Sequence, residues 1–313
     1  MAEKLSIILP VYNEDGSLEK LYQELKAVLT SGNFEYEIIA VNDGSKDRSF
    51  EILQAIASQD QNFKVISFRR NYGQTAALSA GIDSALGDIL IPLDADLQND
   101  PADIPKFLEK MKEGFDVVSG WRKQRKDHWT RKLPSQMANW LISASTGVKL
   151  HDYGCTMKAY KRELVKDIQF YGEMHRFMPA YASWYGAKIA EIVVNHRARK
   201  YGKSKYGFSR IFRVILDLVA VKFLMSYLTK PIHFFGKIGF AALFLSFLSG
   251  LAALYYKFVR DTSFILTPFP LLTVFLAILA VQFILMGLLA EILTRIYYNA
   301  DRTPYSIKQK INF

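Results

Sequence analysis

Two stretches late in the chain carry no charged residue: Ile238 to Tyr256 and Phe264 to Ala290. Each exceeds the roughly 18 to 20 residues that carry a helix across a bilayer core. Both lie in the last quarter of the chain, so neither reads as a cleaved signal peptide, and Met1 to Leu5 runs into a strand-like segment with no targeting pattern. The two runs are separated by a short loop and are predicted to form a membrane hairpin. A mean hydropathy of +0.04 agrees with apolar residues gathered in blocks.

The first half alternates two periods. Leu5–Val11, Tyr36–Val41, Phe63–Phe68, Ile89–Leu93 and Asp116–Ser119 read as short apolar strands. Between them, Ser17–Leu29, Asp47–Ala57 and Gln74–Ala85 repeat apolar residues at helical spacing. Strands apolar on nearly every position, alternating with helices, predict a mostly parallel sheet covered on both faces. In such sheets ligands bind beyond the carboxyl ends of the strands. Later, Trp129–Ser145 reads as an amphipathic or covering helix, and Thr156–Tyr160 and Lys188–Val194 as further strands. Ile211–Tyr227 is helical in period and reads as an interfacial helix. The expected division is a catalytic domain over 1–209, a juxtamembrane helix over 210–230, the hairpin over 231–296 and a tail over 297–313.

Net charge is +10, and its placement matters more than its size. Arg122, Lys123, Arg125, Lys126, Arg131 and Lys132 form one cluster. Arg197, Arg199, Lys200, Lys203, Lys205, Arg210 and Arg213 form another, with no acid between Ile192 and Leu216. Basic surface beside membrane segments points to anionic headgroups or phosphates. Nothing matches a nucleic-acid module, so nucleic acid is not an expected partner. An even number of spans puts the N-terminal domain and the tail on one side. Arg295 at the end of the hairpin and Arg302, Lys308 and Lys310 of the tail are basic, so the positive-inside rule places both termini in the cytoplasm of a multi-pass inner-membrane protein. Lys257 and Arg260 in the loop pull the other way. Cys155 is the sole cysteine, which excludes an intrachain disulfide, fits a reducing compartment and reads as a small buried residue. His128, His151, His196 and His233 show no metal-ligand spacing.

Asp94-Ala95-Asp96 follows the fourth strand directly. Two carboxylates at that edge offer hard oxygen ligands to Mg²⁺ or Mn²⁺, with diphosphate oxygens completing the shell. The first strand ends Pro10-Val11-Tyr12-Asn13-Glu14 and the second Val41-Asn42-Asp43-Gly44-Ser45, so both loops open on the same edge. Asp43 can accept from a base N–H, or cap and turn the chain locally. Gly44 would let the backbone approach a ligand. Arg69-Arg70-Asn71-Tyr72-Gly73 leads into a helix and looks like a phosphate-approaching helix start, without being a P-loop.

In that order, these motifs resemble the inverting family 2 glycosyltransferases of the GT-A fold. Ser119-Gly120-Trp121-Arg122, Asp152-Tyr153-Gly154-Cys155, His175-Arg176-Phe177-Met178-Pro179 and Arg199-Lys200-Tyr201-Gly202-Lys203-Ser204-Lys205-Tyr206 narrow the resemblance. They are similar to the polyisoprenyl-phosphate glycosyltransferases, the dolichol-phosphate mannose synthase type, and the two spans resemble the bactoprenol glucosyltransferase branch. The resemblance implies a nucleotide-sugar site on Pro10, Tyr12, Glu14, Asp43 and Gln98, and a metal–diphosphate site on Asp94 and Asp96. It puts Arg122, Arg131, Arg199 and Lys205 against the acceptor phosphate. Asp152 would orient a substrate or act as base, and His175 and Arg176 would shape the site. The implied reaction moves a hexose, glucose from UDP-glucose, to undecaprenyl phosphate with inversion. GDP-mannose, an amino-arabinose donor and a non-catalytic membrane scaffold are the alternatives. No Gln-x-x-Arg-Trp motif is present, which argues against a polymerising enzyme. Two-span hairpins also associate through their helices, so a homo-oligomer is a possible assembly.

Overall fold

The structure is a computed structural model. It describes residues 3–123, 139, 142–144, 146–165, 177–197, 223, 227 and 230–299. The chain divides into two compact units, Met1–Lys222 and Phe223–Phe313.

The first unit is built on a sheet. Its strands are β1 (Leu5–Val11), β2 (Tyr36–Asn42), β3 (Phe63–Ser67), β4 (Ile89–Pro92), β5 (Val117–Trp121), β6 (Lys158–Lys161) and β7 (Ile189–Val193). They lie in the order β3-β2-β1-β4-β6-β5-β7. Pairing is parallel throughout except at β6, which runs antiparallel to both β4 and β5. The helices are α1 (Leu18–Ser31), α2 (Ser49–Gln59), α3 (Gln74–Ser84), α4 (Ile104–Lys112), α5 (Arg162–Val165) and α6 (Met178–Trp184).

The unbroken apolar character of the strands has a simple cause. Leu5, Ile7, Leu9, Ile38 and Ala40 face one core, with Leu18, Leu21, Leu25 and Leu29 of α1, Leu53 of α2 and Phe107 of α4. Ile8, Ile39, Val41 and Leu90 face the other, with Ala77, Leu78 and Ile82 of α3 and Met178 and Ala182 of α6. Successive residues point to opposite faces, and both faces are covered. The α1 leucines at spacings of three and four form one stripe.

Strand order fixes where a ligand can sit. From β1 the chain winds outward through β2 and β3, then returns to place β4 on the other side of β1. The crevice at the carboxyl ends of β1 and β4 is therefore the topological switch point. Antiparallel β6 begins at that same edge, so the residues before it join the crevice.

The second unit contains α7 (Ile232–Phe258) and α8 (Phe269–Asn299), both long and apolar enough to cross a membrane. The second helix starts later than the uncharged run suggests. Phe264–Leu266 forms a 3₁₀ turn, and Pro268 and Pro270 confine the helix start to this point. The helices meet through small residues. Gly236, Gly239, Ala242, Ser246, Ser249 and Ala253 are the buried positions of α7. A Cβ on Gly239 would fall 2.8 Å from Ile284 Cγ1. Ser246 Oγ donates to the Thr273 carbonyl at 2.8 Å and Ser249 Oγ to that of Phe269 at 2.9 Å. Close backbones and hydroxyl-to-carbonyl bonds characterise helix pairs in lipid, where no hydrophobic force draws helices together. Phe244, Phe247, Ile278 and Leu285 point outward and exposed, as a lipid-facing surface requires. Nearly all of 210–230, and 300–313 of the tail, lie outside the described residues.

Candidate active site

The loops after β1 and β2 are laced together. Asn13, at φ 54°, adopts the left-handed conformation that asparagine tolerates. Its N–H donates to Ser45 Oγ at 3.0 Å, and its Oδ1 accepts from Lys46 N at 2.8 Å. Glu14 N donates to Ser49 Oγ at 2.9 Å, which ties the start of α2 to the same loop. A cleft of about 540 Å³ opens here, lined by Tyr12, Gly44, Lys46, Phe68, Arg70 and Asn71 among others. Arg70 lies over the Tyr72 ring, 4.4 Å from its centroid.

Asp43 is buried and faces its own chain. Its carboxylate accepts from Asn71 Nδ2 at 2.8 Å, Tyr72 N at 2.6 Å and Gly73 N at 2.9 Å. Of the two roles open to this acid, the local one is realised in these bonds: Asp43 shapes the Arg70–Gly73 loop. Gly44 has a related task. A Cβ there would lie 2.4 Å from the Arg70 carbonyl carbon, so the backbone that approaches Gly44 is this loop.

Asp94 follows β4 at the switch point. Gln74 Nε2 donates to its Oδ1 at 2.8 Å and Thr156 Oγ1 to its Oδ2 at 2.6 Å. Asp96 is buried, and its Oδ1 accepts from Gln98 N at 3.1 Å. Leu97 between them is held at φ 61°, a conformation that strains a side chain of this size by about 1–3 kcal/mol. The bond from Gln98 N to Asp96 helps hold this strained turn at the carboxyl end of β4. Among the described residues no group of three or more His, Cys, Asp or Glu is arranged to hold a metal ion. Two hard carboxylates that leave most of an octahedral shell to phosphate oxygens and water do suit Mg²⁺ or Mn²⁺, because Mg²⁺ binds proteins in that manner.

Across the same edge stands Arg122, just past β5. Its Nε donates to Asp152 Oδ2 at 2.7 Å and its Nη2 to Oδ1 at 2.9 Å. Burial alone lowers a guanidinium pKa, but the Asp152 carboxylate more than offsets this and holds Arg122 above its ordinary value. Arg122 therefore stays cationic while keeping further N–H groups for a second anion. Glu191 of β7 braces the partner: its carboxylate accepts from the N–H of His151 at 2.9 Å and of Asp152 at 3.1 Å. His151 stacks on Trp121 at 4.1 Å. Cys155 is fully buried, and burial pushes its thiol up to about 11, so it is a neutral packing residue at neutral pH.

Pro10, Tyr12, Glu14 and Asp43 thus line the ends of β1 and β2, with Asp94, Asp96 and Gln98 beyond β4 and Arg122 and Asp152 beside them. Arg131, Arg199, Lys205, His175 and Arg176 lie outside the described residues. Arg197 departs from the headgroup-docking expectation. Its Nη1 pairs with Glu24 at 2.6 Å and its Nη2 with Asp100 at 2.8 Å, while its N–H donates to the Gln98 carbonyl at 2.9 Å. It straps the segment after β7 to the loop beyond the acid pair. Sequence reading missed Gln74 and Thr156, since a lone polar residue at a helix start or in a loop carries no period or spacing.

Residues 6–169 match the family model described as Glycosyl transferase family 2. The chain is a family 2 glycosyltransferase. Dodecaprenyl-phosphate galacturonate synthase of Rhizobium johnstonii is 41% identical over 98% of this chain and 93% of its own length. Undecaprenyl-phosphate 4-deoxy-4-formamido-L-arabinose transferase of Shewanella sediminis is 36% identical over 98% of this chain and 92% of its own. Among solved structures, glucosyl-3-phosphoglycerate synthase from Mycobacterium tuberculosis, in complex with Mn²⁺, UDP and phosphoglyceric acid, has a TM-score of 0.56 at 20% identity. That alignment covers 71% of this glycosyltransferase and 78% of the other chain, and it shows the GT-A-like fold of the first unit.

Proposed function

We propose that this glycosyltransferase moves a sugar from a nucleotide diphosphate to the phosphate of a membrane polyprenol, with inversion at the anomeric carbon. The observation that carries the reading is the pairing of opposite charges at one sheet edge. Asp94 and Asp96 sit at the switch point between β1 and β4, and the Arg122 guanidinium stands across the 152–156 turn from them. Tyr12 and the 70–73 loop that Asp43 shapes would receive the nucleotide, and Asp94 and Asp96 the diphosphate through a divalent cation. When bound, that cation supplies Lewis-acid stabilisation of the charge building on the departing diphosphate.

A phosphate monoester has a second pKa near 6, so the acceptor is largely dianionic at neutral pH and needs no strong base. The harder task is bringing it near another anion. Arg122 answers it with N–H groups suited to phosphate oxygens. Both oxygens of Asp152 accept from Arg122, which supports the orienting role for Asp152 over the basic one. The α7–α8 hairpin would hold the enzyme where the lipid phosphate lies and raise its effective concentration. The two long apolar helices favour a multi-pass topology, and the positive charge of the segments flanking them favours a cytoplasmic site.

For the sugar, the relatives' names weigh towards galacturonate, then 4-deoxy-4-formamido-L-arabinose, ahead of the glucose implied by motif resemblance. The test is a panel of purified full-length protein, undecaprenyl phosphate and Mn²⁺ with UDP-galacturonate, UDP-linked 4-deoxy-4-formamido-L-arabinose, UDP-glucose or GDP-mannose. One uronate or amino-pentose donor is expected to yield a lipid sugar of inverted anomeric configuration at a kcat/KM about 10⁴-fold above donors lacking its substituent, the discrimination that a site built to hydrogen-bond that substituent supports. Turnover of UDP-glucose alone would restore the glucose assignment. No turnover with any nucleotide sugar would favour the scaffold.

A further inference from the structure

The reversed strand has a consequence for the acid pair. β4 and β6 pair Ile89 with Lys161 and Leu90 with Tyr160. Continued past the strand ends, the same antiparallel register sets Asp94 opposite Thr156, and their side chains meet at 2.6 Å. Gln74, the first residue of α3, holds the other oxygen at 2.8 Å from a different element. A carboxylate rotates broadly about its last torsion. Fixing both oxygens from two elements sets its plane, and each oxygen still has lone-pair capacity for a further partner.

The turn that supplies Thr156 begins with Asp152, the partner of Arg122. It is stiff. Lys158 is buried, and its Nζ donates to the Tyr153 carbonyl at 3.2 Å and to that of Cys155. Tyr153 is buried and its hydroxyl donates to the Val148 carbonyl at 2.6 Å. At Gly154 a Cβ would stand 3.3 Å from Arg122 Nη2, so the turn lies against the guanidinium. One short segment thus grips Asp94 at one end and Arg122 at the other.

We infer that Thr156 is a positioning residue: its hydroxyl orients the Asp94 carboxylate for the cation and diphosphate, and its turn sets the distance from that acid to the guanidinium awaiting the acceptor. The inference rests on the metal-binding reading of Asp94. Loss of a partner that orients a metal ligand typically weakens metal affinity or activity by about 10–100-fold.

The test uses full-length protein in detergent, with Mn²⁺ titrated in the presence of UDP and the free ion followed by electron paramagnetic resonance. Thr156→Val removes the hydroxyl and keeps the branched shape, and Thr156→Ala removes it without crowding the turn. Both are expected to bind Mn²⁺ about 10-fold more weakly, with kcat lowered to match. The melting temperature and the KM for polyprenyl phosphate should stay at their wild-type values. Thr156→Ser should restore the affinity. Wild-type Mn²⁺ uptake by either folded hydroxyl-free variant, or a serine variant as defective as valine, overturns the role of Thr156 while leaving the metal site standing. If the wild-type protein itself takes up no Mn²⁺ with UDP, the metal reading of Asp94 fails and the role of Thr156 with it.

Discussion

Asp96→Ala is expected to lower kcat by about a thousandfold or more, since a cation on the leaving diphosphate supplies several kcal/mol and each 1.36 kcal/mol is tenfold in rate. The fold should survive, because Asp96 contributes a turn contact to Gln98 N rather than a place in either apolar core. Asp96→Asn separates two explanations. Asparagine keeps an oxygen for the Gln98 N–H but gives up the charge. It should be nearly as inactive as alanine while melting at the wild-type temperature. An active asparagine variant would mean that Asp96 serves only to shape the strained Leu97 turn. The measurement is initial rate at saturating nucleotide sugar, with thermal melting of each variant alongside.

The second large effect concerns the buried pair. Removing one partner of such a pair leaves an uncompensated charge and typically costs about 3–5 kcal/mol. Arg122→Ala and Asp152→Ala should each melt well below wild type, because the Arg122 and Asp152 side chains are only 14% and 5% exposed. The double variant leaves neither charge behind, so it should recover most of the lost melting temperature. Binding should not follow. A hydrogen bond to a charged group is worth about 1.5–3 kcal/mol, so the KM for polyprenyl phosphate should rise by about 10- to 100-fold in Arg122→Ala and in the double variant alike. Recovery of stability without recovery of KM places Arg122 on the acceptor. Recovery of both would reduce the pair to a structural tie, and a KM change confined to the nucleotide sugar would move Arg122 to the donor side.

Much of this enzyme is legible in its sequence, for physical reasons. β1, β2 and β4 stand out because both faces are buried and nearly every position is apolar. Asp94 and Asp96 stand out because acids directly beyond a buried strand have one edge to occupy. The membrane helices announce themselves by lack of charge, although Pro268 and Pro270 move the second start to Phe269. The reversal of β6 is harder to see. A four-residue strand has too little pattern to reveal its direction, yet that direction brings Asp152 and Thr156 to the crevice. Charge alone also misleads at Arg197, where two acids distant in sequence, Glu24 and Asp100, turn a basic-cluster residue into a strap. Asp43 shows a related limit: a carboxylate suited to a nucleobase is equally suited to three donors of its own chain. The sugar is less legible still, because contacts to its substituents depend on pocket shape rather than on the motifs that grip the diphosphate.

The most direct measurement is a metal-depletion cycle on the purified enzyme in detergent. Polyprenyl phosphate and a radiolabelled nucleotide sugar are supplied, divalent ions are removed by chelator, and Mn²⁺ or Mg²⁺ is then restored. Labelled lipid should cease to form on depletion and resume on restoration, with Asp96→Ala silent throughout. Undiminished labelling of the lipid in the presence of chelator would contradict the account.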